Sequence, residues 1–295
     1  MSKIKSLSVG NGDMFYVTHN SDNFTIIDCS LSEENRKDIV DELRCESSGK
    51  GIHRFISTHP DQDHIFGLRY LDGRMAIVNF YCVKNEATKE DETSDFRRYK
   101  ELRDSDKKAF YLYEGCCRRW MNKKSEERGS AGISILWPDR SNAAFTDALQ
   151  EARKGESPNN ISPIVKYSLE DGVTALWMGD LETEFMEAIE DDINLPDGVH
   201  LLFAPHHGRK SGRVPSAWLE TMDPSIIIVG EAPAKDLEYY DGYDTITQNT
   251  AGDIVFECVM GAVHVYVSSS TYSADFLTDE GRADGDGYYV GTLDV

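Results

Sequence analysis

Apolar residues come in short runs at both ends of the chain, and the middle is polar. Residues 4–9 read as a strand, and Gly10-Asn11-Gly12-Asp13 reads as a turn. Residues 14–18 and 24–28 pair as a hairpin across Asn20-Ser21-Asp22-Asn23. Ser30 and Glu33 have capping-box spacing, and Ile39, Val40 and Leu43 then recur on one helical face. A strand over 54–58 runs straight into His59-Pro60-Asp61-Gln62-Asp63-His64, and 75–81 is a further strand. Residues 84–131 are charge-rich with helical rather than strand character. Strands return at 132–137, and 162–169 with 173–178 form a hairpin across Asp171-Gly172. A helix is predicted over 182–193. Residues 199–204 form a strand ending at Pro205-His206-His207-Gly208, and 225–229 form a buried strand. Residues 254–259 and 262–267 make a last hairpin across Met260-Gly261, and the tail after Ser268 reads as a solvated acidic segment. Because hairpins dominate, two sheets covered by helices fit better than a doubly wound parallel sheet. The expected organisation is one domain over 1–295 with a helical, locally basic insertion at 84–131.

Charge narrows the choice of partners. The 295 residues carry 31 Lys and Arg against 52 Asp and Glu, a net −21. Such acidity opposes a generic nucleic-acid coat or a membrane-surface binder. The charge is uneven, however: 96–124 hold ten basic and four acidic side chains, +6 in all, among Phe96, Tyr99, Phe110, Tyr111, Tyr113 and Trp120. Interleaved cations and aromatics suit a single-stranded nucleic acid, and equally suit a helical excursion docked on the core. The six cysteines are scattered without a CxxC, which predicts reduced, mostly buried thiols. No apolar stretch approaches ~18 residues and the N-terminus lacks a signal-like apolar core, so no membrane span and a cytoplasmic location are expected.

The densest chemistry is His59-Pro60-Asp61-Gln62-Asp63-His64, four metal-capable side chains in six residues behind a strand. Imidazole and carboxylate together suit a borderline or hard divalent ion. Trp177-Met178-Gly179-Asp180 and Pro205-His206-His207-Gly208 also sit at strand ends.

Together these segments resemble the metallo-β-lactamase-fold hydrolases. More closely, they are similar to the branch containing the hydrolase domain of the bacterial competence DNA-uptake channel and the choline-binding phosphocholine esterases. The motifs of that branch read here Val9-Gly10-Asn11-Gly12-Asp13, Thr58-His59-Pro60-Asp61-Gln62-Asp63-His64, Asn159-Asn160-Ile161-Ser162, Gly179-Asp180 and His206-His207-Gly208. The resemblance implies a four-layer αββα sandwich with a two-ion site of zinc or manganese. His59, Asp61 and a shared Asp180 would hold one ion; Asp63, His64, Asp180 and one of His206 or His207 would hold the other. The remaining histidine would contact substrate or protonate the leaving group, and the sequence leaves open which one does. His207 is counted among the ligands, and Asp63, His206 and His207 are the candidates for the chemistry itself. Asp28 is expected to orient a ligating histidine. No histidine lies between His64 and His200, so one ion position is short of nitrogen ligands.

The implied activity is a metal-dependent phosphodiesterase, foremost a nuclease cleaving DNA by a metal-activated hydroxide, with nucleic acid as substrate. Arg209, Lys210 and Arg119 are the substrate-binding candidates, and protein partners in a multi-component system fit a free-standing copy. A hydrolase of a small phosphodiester or ester, of nucleotide or phosphocholine type, is the rival enzyme reading. A binding protein with a decayed site is the non-enzymatic one.

Overall fold

The computed structural model describes residues 1–295. Two sheets carry the chain. The larger has nine strands in the spatial order Tyr288–Asp294, Ala262–Val267, Ile254–Val259, Ser2–Ser6, Phe15–Thr18, Asn23–Ile27, Ile52–Ser57, Phe80–Val83 and Ala109–Leu112. The smaller has six, in the order Thr245–Thr247, Ile226–Val229, Leu201–Phe203, Thr174–Trp177, Ile164–Ser168 and Ile133–Trp137. Each sheet is part antiparallel and part parallel: Asn23–Ile27, Ile52–Ser57, Phe80–Val83 and Ala109–Leu112 run parallel in the first. Thr174–Trp177, Leu201–Phe203, Ile226–Val229 and Thr245–Thr247 do so in the second.

Side-chain alternation explains the layering. In Phe15–Thr18, Phe15 and Val17 join the large core that also holds Trp177 and Phe203 of the other sheet, whereas Tyr16 joins the smaller core under the helices. Phe55 and Ile56 divide in the same way along Ile52–Ser57. Helices Arg36–Glu46, Leu68–Arg74 and Ser94–Arg103 cover the outer face of the larger sheet with Val40, Leu43, Leu71, Phe96 and Tyr99. Helices Ala143–Arg153, Thr183–Ala188 and Ser216–Met222 bury Phe145, Phe185 and Trp218 with the second sheet. This is the four-layer αββα sandwich expected from the sequence.

Several expectations are corrected. The helix carrying Ile39, Val40 and Leu43 begins at Arg36 with Asn35 as its cap, so Ser30 and Glu33 form no capping box; Ser30 instead continues a short strand. Residues 75–79 lie outside the strand, which spans Phe80–Val83. The segment 84–131 is not a helical insertion: it holds one α-helix, Ser94–Arg103, and then the strand Ala109–Leu112 that completes the larger sheet. Phe96 and Tyr99 are fully buried there, so they serve the core. The acidic tail returns as Tyr288–Asp294, paired with Ala262–Val267. Four of the six cysteines are buried and all are free thiols. No helix is long and apolar enough to cross a membrane.

Candidate metal centre

Four parallel strands deliver the chemistry at their C-terminal ends, where ligands gather in α/β sheets. Asn23–Ile27 leads to Asp28, Ile52–Ser57 to His59, Thr174–Trp177 to Asp180, and Leu201–Phe203 to His206 and His207. The turns are tight. Gly179 has φ +53, and a Cβ there would lie 2.5 Å from Ser162 Oγ and 2.8 Å from Thr58 Cβ, so both conformation and space require glycine. His206 and His207 both take left-handed backbone, φ 55 and 56, and His206 N–H donates to the Gly179 carbonyl at 3.0 Å. Such conformations cost about 1–3 kcal/mol each and persist where the surroundings dictate them.

Asp180 is the hub. Its Oδ1 lies 3.0 Å from His64 Nε2, and its Oδ2 lies 3.9 Å from His59 Nε2, 3.8 Å from His206 Nε2 and 3.6 Å from His207 Nε2. Asp63 Oδ2 is 3.3 Å from His207 Nε2, and Asp61 Oδ2 is 3.9 Å from His59 Nε2. Every imidazole therefore presents Nε2 inward, and the protein holds the other nitrogen. Asp28 Oδ2 takes His64 Nδ1 at 2.9 Å, and Asp13 Oδ1 faces His207 Nδ1 at 3.0 Å. Ser211 Oγ meets His206 Nδ1 at 3.1 Å. Thr58 Oγ1 donates to Asp28 Oδ2 and so accepts from His59 Nδ1, which leaves His59 Nε2 as the lone-pair side.

These residues fit a divalent cation. His59 Nε2 is buried with no hydrogen-bond partner, and the buried His64 Nε2, His207 Nε2 and Asp180 Oδ1 face only one another and Asp63, contacts that need protons on the imidazoles unless a cation takes their lone pairs. Asp13, His64, Asp180 and His207 each place a ligand-capable atom within 4.8 Å of the others. The electrostatics agree. Burial opposes charge on His64 and His207, but Asp180 and Asp28 outweigh it at His64, as Asp13 and Asp180 do at His207. His64 is thus raised well above the ordinary range and His207 is raised to about 10. Burial opposes ionisation of Asp63, yet His207 and His64 hold it down at about 2. Protons stand on the imidazoles where a cation would otherwise neutralise the carboxylates.

A pH prediction follows for the metal-free protein. The folded pKa of His207, about 10, lies above its unfolded value of 6.5. Its contribution is therefore complete below the unfolded value and is lost as pH rises through the folded one. Thermal melts in chelator are expected to fall steadily between these limits; a flat profile across that window would contradict the imidazolium–carboxylate arrangement.

Of the residues singled out from sequence, His59, Asp61, Asp63, His64, Asp180, His206 and His207 converge, with Asp28 behind His64. Arg209 lies at the rim, its guanidinium on the Asn11 side-chain oxygen. Lys210 is turned away, exposed, with its ammonium on the Lys235 carbonyl. Arg119 is not part of the site: it stacks over Trp120, whose carbonyl takes a guanidinium NH of Arg54. At about 3.3 Å per residue, Arg54 and His59 stand roughly 15 Å apart along their strand, so the basic segment around Arg119 flanks the opposite end of the sheet. Sequence reasoning gave no role to Asp13 or Ser162, although both stand in quoted motifs. Ser162 Oγ touches His59 Nδ1 and takes the Asp180 N–H, while Asn159 and Asn160 clamp Glu182 just beyond Asp180. Lys89, ion-paired with Asp61, had no signal beyond its charge.

Asp28→Asn is expected to weaken metal binding about 10- to 100-fold, the usual effect of removing a carboxylate that orients a ligating histidine. Asp28 has φ 56, which asparagine tolerates, so the fold should survive. Calorimetric titration with zinc or manganese checks this, and unchanged affinity would remove Asp28 from the assembly.

Fold and site together define the molecule as an αββα sandwich with a buried, aspartate-centred histidine cluster. No family model matches the chain, and no curated protein matches it. Among solved structures it is similar to the metallo-β-lactamase fold protein YhfI from Bacillus subtilis, at 10% identity and TM-score 0.44 over 84% of this chain and 96% of that one. It is also similar to CmlA, a diiron β-hydroxylase from Streptomyces venezuelae, at 13% identity and TM-score 0.46 over 78% of this chain and 44% of that one. A diphosphatase from the PhnP family aligns at 11% identity and TM-score 0.38, covering 87% and 98% of the two chains. Function is therefore argued from the site itself.

Proposed function

We propose that the protein is a metal-dependent hydrolase of phosphodiesters, with a DNA strand as the foremost substrate. The observation that carries this reading is the convergence of four histidine Nε2 atoms on Asp180, with Asp61 beside His59 and Asp63 beside His207 at a groove. That groove is open to solvent, and Asp61 and Asp63 line it together with Asn11, Ser30, Gln62, Phe66 and Lys89. When bound, a pair of divalent ions supplies an acidified water and neutralises charge on the phosphate. Mixed imidazole and carboxylate donors suit zinc or manganese.

The chain's own residues do the rest. Asp63 keeps a third of its side chain exposed and forms the groove floor beside His207. His206 is the most exposed of the four histidines, and Ser211 holds its Nδ1. It is therefore the group placed to hand a proton to a leaving oxygen. Lys89 and Arg209 offer positive charge at the rim.

One observation favours a smaller phosphodiester instead: Arg118 and Arg119 lie by Asn79 and Arg54 at the far end of the sheet, and Arg98, Lys100 and Arg103 on the nearer helix are already paired with Asp72, Glu92 and Asp104, so few free cations approach the groove for a polyanion. Linear single- and double-stranded DNA with manganese or zinc should yield fragments, and Asp63→Ala should yield none. Turnover of a small phosphodiester with every nucleic acid left intact would select the second reading; no hydrolysis of either would sink both.

A further inference from the structure

Lys89 is the one cation that reaches the carboxylates of the centre. Its ammonium is ion-paired with Asp61 Oδ1, and it stands 5.8 Å from the Phe96 ring centroid. Phe96 is fully buried, and the Phe96 N–H donates to Thr93 Oγ1 at the start of its helix. The loop that delivers Lys89 is tethered next door: Thr88 N–H donates to the Ala152 carbonyl at 3.0 Å, and Thr88 Oγ1 to the Arg153 carbonyl at 2.9 Å. Of the nearby acids, Glu92 is held by Lys100 and Glu86 by Arg153.

The donors around Asp180 divide unequally. His64 Nε2 lies 3.0 Å from Asp180 Oδ1, and His207 Nε2 lies 3.3 Å from Asp63 Oδ2 and 3.6 Å from Asp180 Oδ2. His59 Nε2 stands further off, 3.9 Å from both Asp180 Oδ2 and Asp61 Oδ2. Asp61 is the carboxylate beside His59, and its other oxygen is already ion-paired with Lys89.

From this arrangement, which rests on reading the centre as a metal site, we propose that Lys89 competes with a second divalent cation for Asp61. The protein then holds one ion tightly, at Asp63, His64, Asp180 and His207. A second ion, at His59, Asp61 and Asp180, binds only when the lysine yields. A dication and an ammonium sharing one carboxylate repel each other, so the second affinity is set by how easily Lys89 swings out toward the groove. Occupancy of the second position would then track the concentration of free metal or of an anionic ligand able to draw Lys89 away.

Calorimetry with manganese and with zinc, backed by elemental analysis after gel filtration, tests this on the full chain. The unmodified protein should show two classes of site, with one equivalent retained through the column. Lys89→Met keeps the aliphatic stem and removes the charge; it should tighten the weak class by roughly 10- to 100-fold and retain close to two equivalents. Lys89→Arg should leave two unequal classes. Asp61→Asn should erase the weak class and spare the tight one, with an unchanged circular dichroism spectrum. Two equal sites in the unmodified protein, or a Lys89→Met isotherm superposable on it, would overturn the competition while leaving the metal centre intact. Absence of binding in every protein would overturn the metal centre and this inference with it.

Discussion

Replacing Asp180 with alanine is expected to strip the protein of metal and to lower turnover of any phosphodiester by at least about 10³-fold. A cation in such a site contributes several kcal/mol of charge stabilisation, and each 1.4 kcal/mol or so is tenfold in rate. The effect should exceed that of any other single replacement at the centre. Asp180 alone faces all four Nε2 atoms, and its carboxylate is held well below the ordinary range: burial opposes its ionisation, and His64, His207 and His59 outweigh that opposition. Its loss leaves imidazoles crowded against one another, with His59 and His64 ring centroids 4.1 Å apart and His64 and His207 5.0 Å apart. Elemental analysis and steady-state kinetics of Asp180→Ala, with Asp180→Asn beside it, provide the check. A variant that kept its metal in full would refute the hub assignment.

Trp177→Ala is expected to be the most damaging replacement for stability, at about 3–5 kcal/mol. Trp177 is 2% exposed and stacks on Phe203 with centroids 4.6 Å apart, while Phe15 meets both rings edge-on from the opposite sheet. The pair is thus the point where the two sheets lock. Trp177 Nε1 is buried without a partner, a penalty that alanine would relieve, so the loss should fall toward the lower end of the range. Trp177→Phe removes that penalty while retaining a ring, and should cost far less than the alanine. Because Trp177 precedes Asp180 by three residues, the alanine variant should also bind metal more weakly. Thermal and denaturant unfolding of the three proteins decide it; a melting temperature for Trp177→Ala within a degree or two of the parent would show that the sheets do not depend on this stack.

Much of the centre was legible as motif. His59 to His64, Gly179-Asp180 and the His206-His207 pair each follow an apolar run, and a strand end is where a rigid loop can hold a ligand. Legibility stopped at second partners. Asp13 lies far from His207 along the chain and belongs to a turn of the other sheet, and only the packing of the two sheets, Phe15 on Phe203, brings the two together. Lys89 was hidden among ordinary charges because its meaning depends on Thr88 being tethered to Ala152 and Arg153. Arg119 was misplaced for the converse reason: its local company of aromatics and cations is real, but it stands at the wrong end of the sheet.

The amino-acid sequence by itself determined the hairpins, the apolar faces, and which residue types end the strands, because those follow from local periodicity and turn chemistry. It could not assign the acidic tail to the edge of the larger sheet, nor Ala109–Leu112 to the other edge. Both are edge strands whose surroundings in sequence are charged, and they gain their structure from partners elsewhere in the chain. Tertiary structure alone decided that four loops from two sheets meet at one carboxylate. Register across pairs such as Ser2 with Cys258 is a long-range choice made by burial of whole faces, which no window along the chain contains.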